Sequence, residues 1–292
     1  MTLRVGHITY ANCAPFFHYL DRTGFDGEIV PGVPATLNAL LAAGEIDVSP
    51  SSSFEYLRNW RHYLLLPGQS ISSFGPVRSV LLFSVRPVEE LDGGAIALTG
   101  ESATSVNLLK ILFREFYGHN RSVFRGSDRR LEDGPDGADG ALLIGDRALR
   151  LARRPAGWRY CYDLGELWVR FTGLPFVFAL WILRREAVEE HPAEVAALLE
   201  QLSAARRQAF ASLEAMAADS PERSWLPEPD LAAYWRCMDY DLGPAHLAGL
   251  RRYSELCVKH GLLDEMPEFR FFTPESQASP GEFQESRTTG NR

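Results

Sequence analysis

The feature that most constrains this chain is the order of its first elements. Arg4 to Tyr10 alternates apolar and polar residues as a strand does, and Ala11 to Pro15 reads as a turn before a short helix. Glu28 to Val33 reads as a second strand. Pro34 then sits where a helix starts, with Leu37, Leu40 and Leu41 on its apolar face and Gly44 ending it. Ile46 to Ser49 is a third strand, Phe54 to Trp60 a helix, and Tyr63 to Leu66 a fourth strand. Strands and helices that alternate through short connections imply a parallel sheet with right-handed crossovers.

The alternation restarts downstream. Ser79 to Ser84 is a strongly apolar strand and Pro87 to Gly94 resembles a linker. Ala95 to Leu98 is a strand, Thr104 to Tyr117 a helix with a broad apolar face, and Ala141 to Ile144 a strand followed by a helical stretch. Phe176 to Leu183 is again strongly apolar, and from His191 the chain reads as helical, with helices starting near Pro229 and Pro244. The expected fold is therefore α/β and two-lobed, with two crossover strands and C-terminal helices. Lobe 1 is expected over residues 1–86 and 180–273, lobe 2 over 87–179, and a disordered Ser/Glu/Gly/Gln-rich tail over 274–292. Ligands in such folds bind where strand ends and helix starts of both lobes converge.

Two strand-to-helix corners stand out. In Ser49-Pro50-Ser51-Ser52-Ser53-Phe54 three serines lie between a strand and a helix. Ser51, Ser52 and Ser53 can cap that helix, or can join its N–H groups in holding a carboxylate or phosphate. Thr104 and Ser105 occupy the equivalent corner of the second block, with the same two readings. Two opposed uncharged corners suit a small molecule with two carboxylates. Asn12 follows the first strand and can both donate and accept, or cap the next helix. Asp146 follows a strand and is a candidate acid, base or hydroxyl acceptor, or equally a cap. Ser72 and Arg78 are candidate ligand contacts near the crossover, Arg78 being equally readable as a surface charge. Cys13 reads as a small buried side chain, because no histidine occupies an obvious partner position.

Composition narrows the function further. A net charge of −8 argues against nucleic acid as a partner. No apolar run reaches the roughly 18 residues needed to span a bilayer, and Met1 to Tyr10 already reads as a strand, so neither a membrane anchor nor a signal peptide is expected. Cys13, Cys161, Cys237 and Cys257 show no metal-ligand spacing, which suits a reduced, cytoplasmic location without metal or cofactor. No Gly-x-Gly-x-x-Gly, phosphate-binding Gly-Lys-Ser/Thr or Gly-x-Ser-x-Gly run occurs.

With these residues in place, the chain resembles the MqnA family of menaquinone biosynthesis, the chorismate dehydratases of the futalosine route. The resemblance rests on Arg4–Asn12 with Pro15, Gly32–Asn38, Gly44–Tyr56, Leu66–Pro67 with Ser70–Gly75, Ser79–Ser84, Thr104–Ser105, Ile144–Leu149 and Thr172–Ala179, in order along the chain. It implies the two-lobed fold of type II periplasmic binding proteins, used as an enzyme. It also implies a hydro-lyase reaction that removes water from chorismate, a dicarboxylate, and leaves 3-[(1-carboxyvinyl)oxy]benzoate. In the sister family MqnD a histidine serves as base near the position held here by Gly145-Asp146. The matched residues here are mostly neutral, so the expected base is the substrate's own enolpyruvyl carboxylate, with Asp146 as the competing choice. The rival class is a non-catalytic solute-binding protein with the same cleft. Oligomeric state is not legible in the sequence.

Overall fold

The structure, a computed structural model, describes residues 2–126 and 130–274. The tail expected from residue 274 lies, after its first residue, outside the described residues. Among the described residues ten strands follow one another: β1 Arg4–Ile8, β2 Glu28–Gly32, β3 Val48–Ser52, β4 Tyr63–Ser73, β5 Val80–Ser84, β6 Ala95–Leu98, β7 Val123–Gly126, β8 Gly140–Ile144, β9 Tyr160–Asp163 and β10 Phe176–Arg184. The helices are α1 Ala14–Phe17, α2 Pro34–Ala43, α3 Ser53–Asn59, α4 Ala103–Ile111, α5 Gly145–Arg153, α6 Leu164–Thr172, α7 Arg185–Glu190, α8 Pro192–Ala211, α9 Leu213–Asp219, α10 Glu228–Cys237 and α11 Pro244–Lys259.

The strands form two five-stranded sheets, in the orders β2-β1-β3-β10-β4 and β7-β6-β8-β5-β9. In the first, β1 is parallel to β2 and β3, while β10 is antiparallel to β3 and β4. In the second, β6 is parallel to β7 and β8, while β5 is antiparallel to β8 and β9. Both lobes thus share one plan, in which the strand arriving from the other lobe is inserted, antiparallel, beside the lobe's third strand. A strand buried on both faces must be apolar throughout, which explains the composition of β5 and β10. The pairing puts the passages between the two sheets at residues 74–79 and 173–175.

The first serine corner differs from its expected form. The strand does not stop at Val48 or Ser49 but runs to Ser52. The cause is β10, which pairs Ser49, Pro50, Ser51 and Ser52 with Ile182, Trp181, Leu180 and Ala179. Pro50 is tolerated inside the strand because β1 pairs with β3 only at Val48, so no ladder needs its missing N–H. Similarly β4 continues through Pro67 and Gly68 to Ser73, with register shifts against β10 and Gly68 at φ +71°. Helix α6 and strand β7 are elements that patterning did not expose.

The C-terminal helices, expected to pack on the first lobe, touch both. Trp235 Nε1 on α10 donates to Ala11 O at 2.7 Å, and the Tyr234 hydroxyl donates to Ser79 Oγ at 2.8 Å. On α11 the Tyr253 hydroxyl donates to Thr104 O at 3.1 Å. One apolar cluster accordingly runs from Val5 and Trp181 in lobe 1 through Trp235 and Tyr253 to Leu108 and Trp168 in lobe 2.

Candidate functional site

Both strand-to-helix corners open on one cavity between the lobes, of about 50 Å³. Lobe 1 lines it with Ile8, Tyr10, Asn12, Pro34, Ser52, Ile71, Phe178 and Ala179; the crossing and lobe 2 line it with Ser79, Val80, Ser102, Ser105, Ile144 and Gly145. No charged side chain is among them. The acids of the first corner are engaged elsewhere: Asp47 takes Arg4 in a paired contact, its Oδ1 2.8 Å from Nη2 and its Oδ2 3.1 Å from Nε, and buried Glu55 accepts from Asn59 at 2.7 Å.

Three buried polar atoms of cavity-lining residues have no hydrogen-bond partner: Tyr10 Oη, Asn12 Oδ1 and Ser52 Oγ. Buried polar groups are nearly always paired, so unpaired atoms on residues that line one cavity make it the candidate site, while the Tyr10 hydroxyl also feels Glu101, which adds to burial in raising its pKa. On the facing side Ser102 caps α4 by accepting from Ser105 N at 3.2 Å, and the two hydroxyls lie 3.1 Å apart. Gly145 sits at φ +58°, and a Cβ there would lie 2.7 Å from the Tyr10 ring. The glycine therefore lets that ring close against the start of α5.

The candidate residues fall into two groups. Asn12, Ser52 and Ser105 line the cavity. Thr104 and Ser53 lie beside it but meet each other: Thr104 Oγ1 accepts from Phe54 N at 2.9 Å and lies 3.3 Å from Ser53 Oγ, which donates to Val177 O at 2.8 Å. Ser51 is buried and unpartnered but does not line the cavity. Ser72 is committed to the C-terminal segment, donating to Asp239 O at 3.0 Å. Arg78 is exposed, at φ +61°, with its backbone N–H held by Asp163 Oδ2 at 2.6 Å. Tyr10, Ser79, Ser102 and Gly145 were not singled out from the sequence, although Tyr10 follows β1 beside Asn12, where strand ends meet a cleft.

Asp146 is also outside the lining. Its Oδ1 accepts the N–H of Ala11 at 3.0 Å, tying the start of α5 in lobe 2 to the turn that carries Asn12. Burial first, and the charge of Glu222, raise its pKa to about 6 against the pull of the Ala11 N–H and Arg150. Burial likewise pushes the Tyr10 hydroxyl and the Cys13 thiol upward, so neither is a ready nucleophile. Among the described residues, no group of three or more His, Cys, Asp or Glu side chains could hold a metal ion, and no helix is long and apolar enough to cross a membrane.

Comparison with known proteins decides the family. The model of a family described as menaquinone biosynthesis matches residues 3–259. The chain belongs to the menaquinone biosynthesis family. The MqnA resemblance is borne out by a Thermus thermophilus protein named chorismate dehydratase, 36% identical over 260 residues that cover 84% of this chain and 92% of that protein.

Solved structures agree on the fold of this family member. A protein of Archaeoglobus fulgidus superposes with a TM-score of 0.69 at 23% identity, over 89% of this chain and 98% of its own. The periplasmic aliphatic sulphonate binding protein SsuA of Escherichia coli gives 0.65 at 19% identity, over 99% and 97%. A Candida albicans protein described as having the generic periplasmic binding protein fold gives 0.66 at 11% identity, over 91% and 92%. The two-lobed periplasmic-binding-protein fold expected from the sequence is the fold observed.

Proposed function

We propose that the chain is a chorismate dehydratase, a carbon–oxygen hydro-lyase that converts chorismate to 3-[(1-carboxyvinyl)oxy]benzoate and water. The observation that carries this reading is the 36% identity, spread over nearly the whole relative, to a protein of that name. The lining of the cavity supports it, and its volume of about 50 Å³ means that the lobes must part to admit chorismate. Its uncharged hydrogen-bonding groups come from both lobes, as holding a compact dicarboxylate between two corners requires.

The chemistry asks little of the protein. A proton leaves C3, the C4 hydroxyl departs, and the ring becomes aromatic, which supplies much of the driving force. Positioning and polarisation suffice as the protein's share. Ser52 on one side and Ser102 and Ser105 on the other are the groups proposed to hold the carboxylates. Asn12 and Tyr10 are proposed to fix the ring and the leaving hydroxyl. The substrate's enolpyruvyl carboxylate takes the C3 proton. Asp146 is proposed as a positioning residue, since its Oδ1 already accepts from Ala11 and the side chain lies behind the cavity wall.

Incubating the purified protein with chorismate tests the reading. Enzyme-dependent loss of chorismate with appearance of the aromatic product, followed by absorbance and mass, is the expected result. Saturable binding with chorismate recovered unchanged would instead favour a solute-binding protein, the role of the SsuA fold relative.

A further inference from the structure

A second, larger cavity of about 750 Å³ lies apart from the interlobe one and is lined chiefly by Arg150, Arg153, Arg154, Arg223 and Trp225. Arg150, Arg153 and Arg154 belong to the end of α5, in lobe 2. Arg223 and Trp225 come from the turn between α9 and α10, on the other wall. In a chain of net charge −8, four guanidinium groups converging on one hollow need a reason.

Local pairing does not supply it. Arg153 meets Asp230 at 2.6 Å and Arg223 meets Glu228 at 3.8 Å, both on the surface. Arg150 lies 4.0 Å above the Trp225 ring, a cation–π contact. Among the described residues neither Arg150 nor Arg154 has an ion-pair partner. Four cations therefore make direct ion pairs with two carboxylates, Arg150 acting besides on the more distant Asp146, and exposed pairs of this kind are weak enough to yield to a better anion. Cations in the last turn of a helix complement its dipole, which accounts for the arginines of α5. It does not account for Arg223 and Trp225, which reach the same hollow from another element.

We propose that this cavity binds a small molecule carrying a phosphate or diphosphate group. Guanidinium forks match phosphate oxygens in pairs, where a lysine would offer only a point charge. The volume is that of a small-ligand pocket. A concave site on an acidic protein suits a compact anion better than a nucleic-acid strand, which needs a broad basic face.

Calorimetric titration of the full chain with sodium pyrophosphate and, separately, with ADP, at fixed ionic strength, tests this. Saturable binding is expected. The Arg154→Ser, Arg223→Ser pair should weaken it about tenfold or more, as loss of two charge-assisted hydrogen bonds implies. If ADP binds more tightly than pyrophosphate, a ring is also being read, with Trp225 as its platform; equal affinities mean that the phosphates alone are read. Should the serine pair lower the melting temperature, the Arg154→Lys, Arg223→Lys pair keeps the charge, loses the fork and should show a smaller loss. No saturable binding at millimolar ligand, or an affinity that both pairs leave unchanged, overturns the proposal.

Discussion

Thr104 Oγ1 in lobe 2 accepts a hydrogen bond from the backbone N–H of Phe54 in lobe 1, at 2.9 Å. The two strand-to-helix corners therefore touch, and at their contact a side-chain hydroxyl of one satisfies an orphan donor at the start of the other's helix. Beside this contact the cavity is lined by Ser52 of the first corner, whose hydroxyl has no partner, and by Ser105 of the second, whose hydroxyl lies 3.1 Å from that of Ser102.

Thr104→Val keeps the shape and removes the acceptor. It leaves the Phe54 N–H unsatisfied in a buried contact, which costs about 1–3 kcal/mol. Urea unfolding should show that loss. Ser53→Ala, which removes a donor to Val177 O, should cost about 1 kcal/mol.

Gly145→Ala meets two obstacles, a φ of +58° and a Cβ 2.7 Å from the Tyr10 ring. Backbone strain alone costs about 1–3 kcal/mol. The melting temperature should fall, and turnover of chorismate should fall further than stability explains, because Tyr10 is pushed into the cavity.

Asn12→Ala should separate function from fold. Its Oδ1 has no protein partner, so its loss leaves nothing newly unsatisfied there. The melting temperature should hold while kcat/KM falls by about 100-fold, the scale of removing one positioned polar contact.

Asp146 gives the pH dependence. Its pKa is raised from 3.8 to about 6 in the folded chain, chiefly by burial. Between those values the folded state holds a proton that the unfolded state has lost, so this carboxyl makes stability fall as pH rises through the window, by up to about 3 kcal/mol. Asp146→Asn should remove that fall while its amide oxygen still accepts from Ala11. Urea unfolding at pH 4.5 and pH 7.5 checks it. In turnover the variant should stay within about tenfold of the parent, as befits positioning rather than proton transfer. Abolished turnover with chorismate binding intact would make Asp146 the base.

Much of this was legible in the sequence because the fold repeats one local rule. Alternating strands and helices gave the first sheet, and the unbroken apolar runs of β5 and β10 marked the strands that cross between lobes. The reading failed where a distant strand decided the local structure. Serine after a short apolar run looks like a helix cap, yet β10 holds Ser51 and Ser52 in extended backbone. Ser72 is likewise fixed by the chain's far end, through Asp239. Asn12 and Ser105 were readable as ends of elements beside a cleft. Tyr10 was not, since an aromatic at the end of a strand is ordinarily core, and only the tertiary structure leaves its hydroxyl without a partner.

The most direct measurement is a crystal structure of the chain soaked with 3-[(1-carboxyvinyl)oxy]benzoate. The expected result is the product between the lobes, one carboxylate against Ser52 and the other against Ser102 and Ser105. Product bound among Arg150, Arg154 and Arg223 instead, with the interlobe cavity empty, would contradict it.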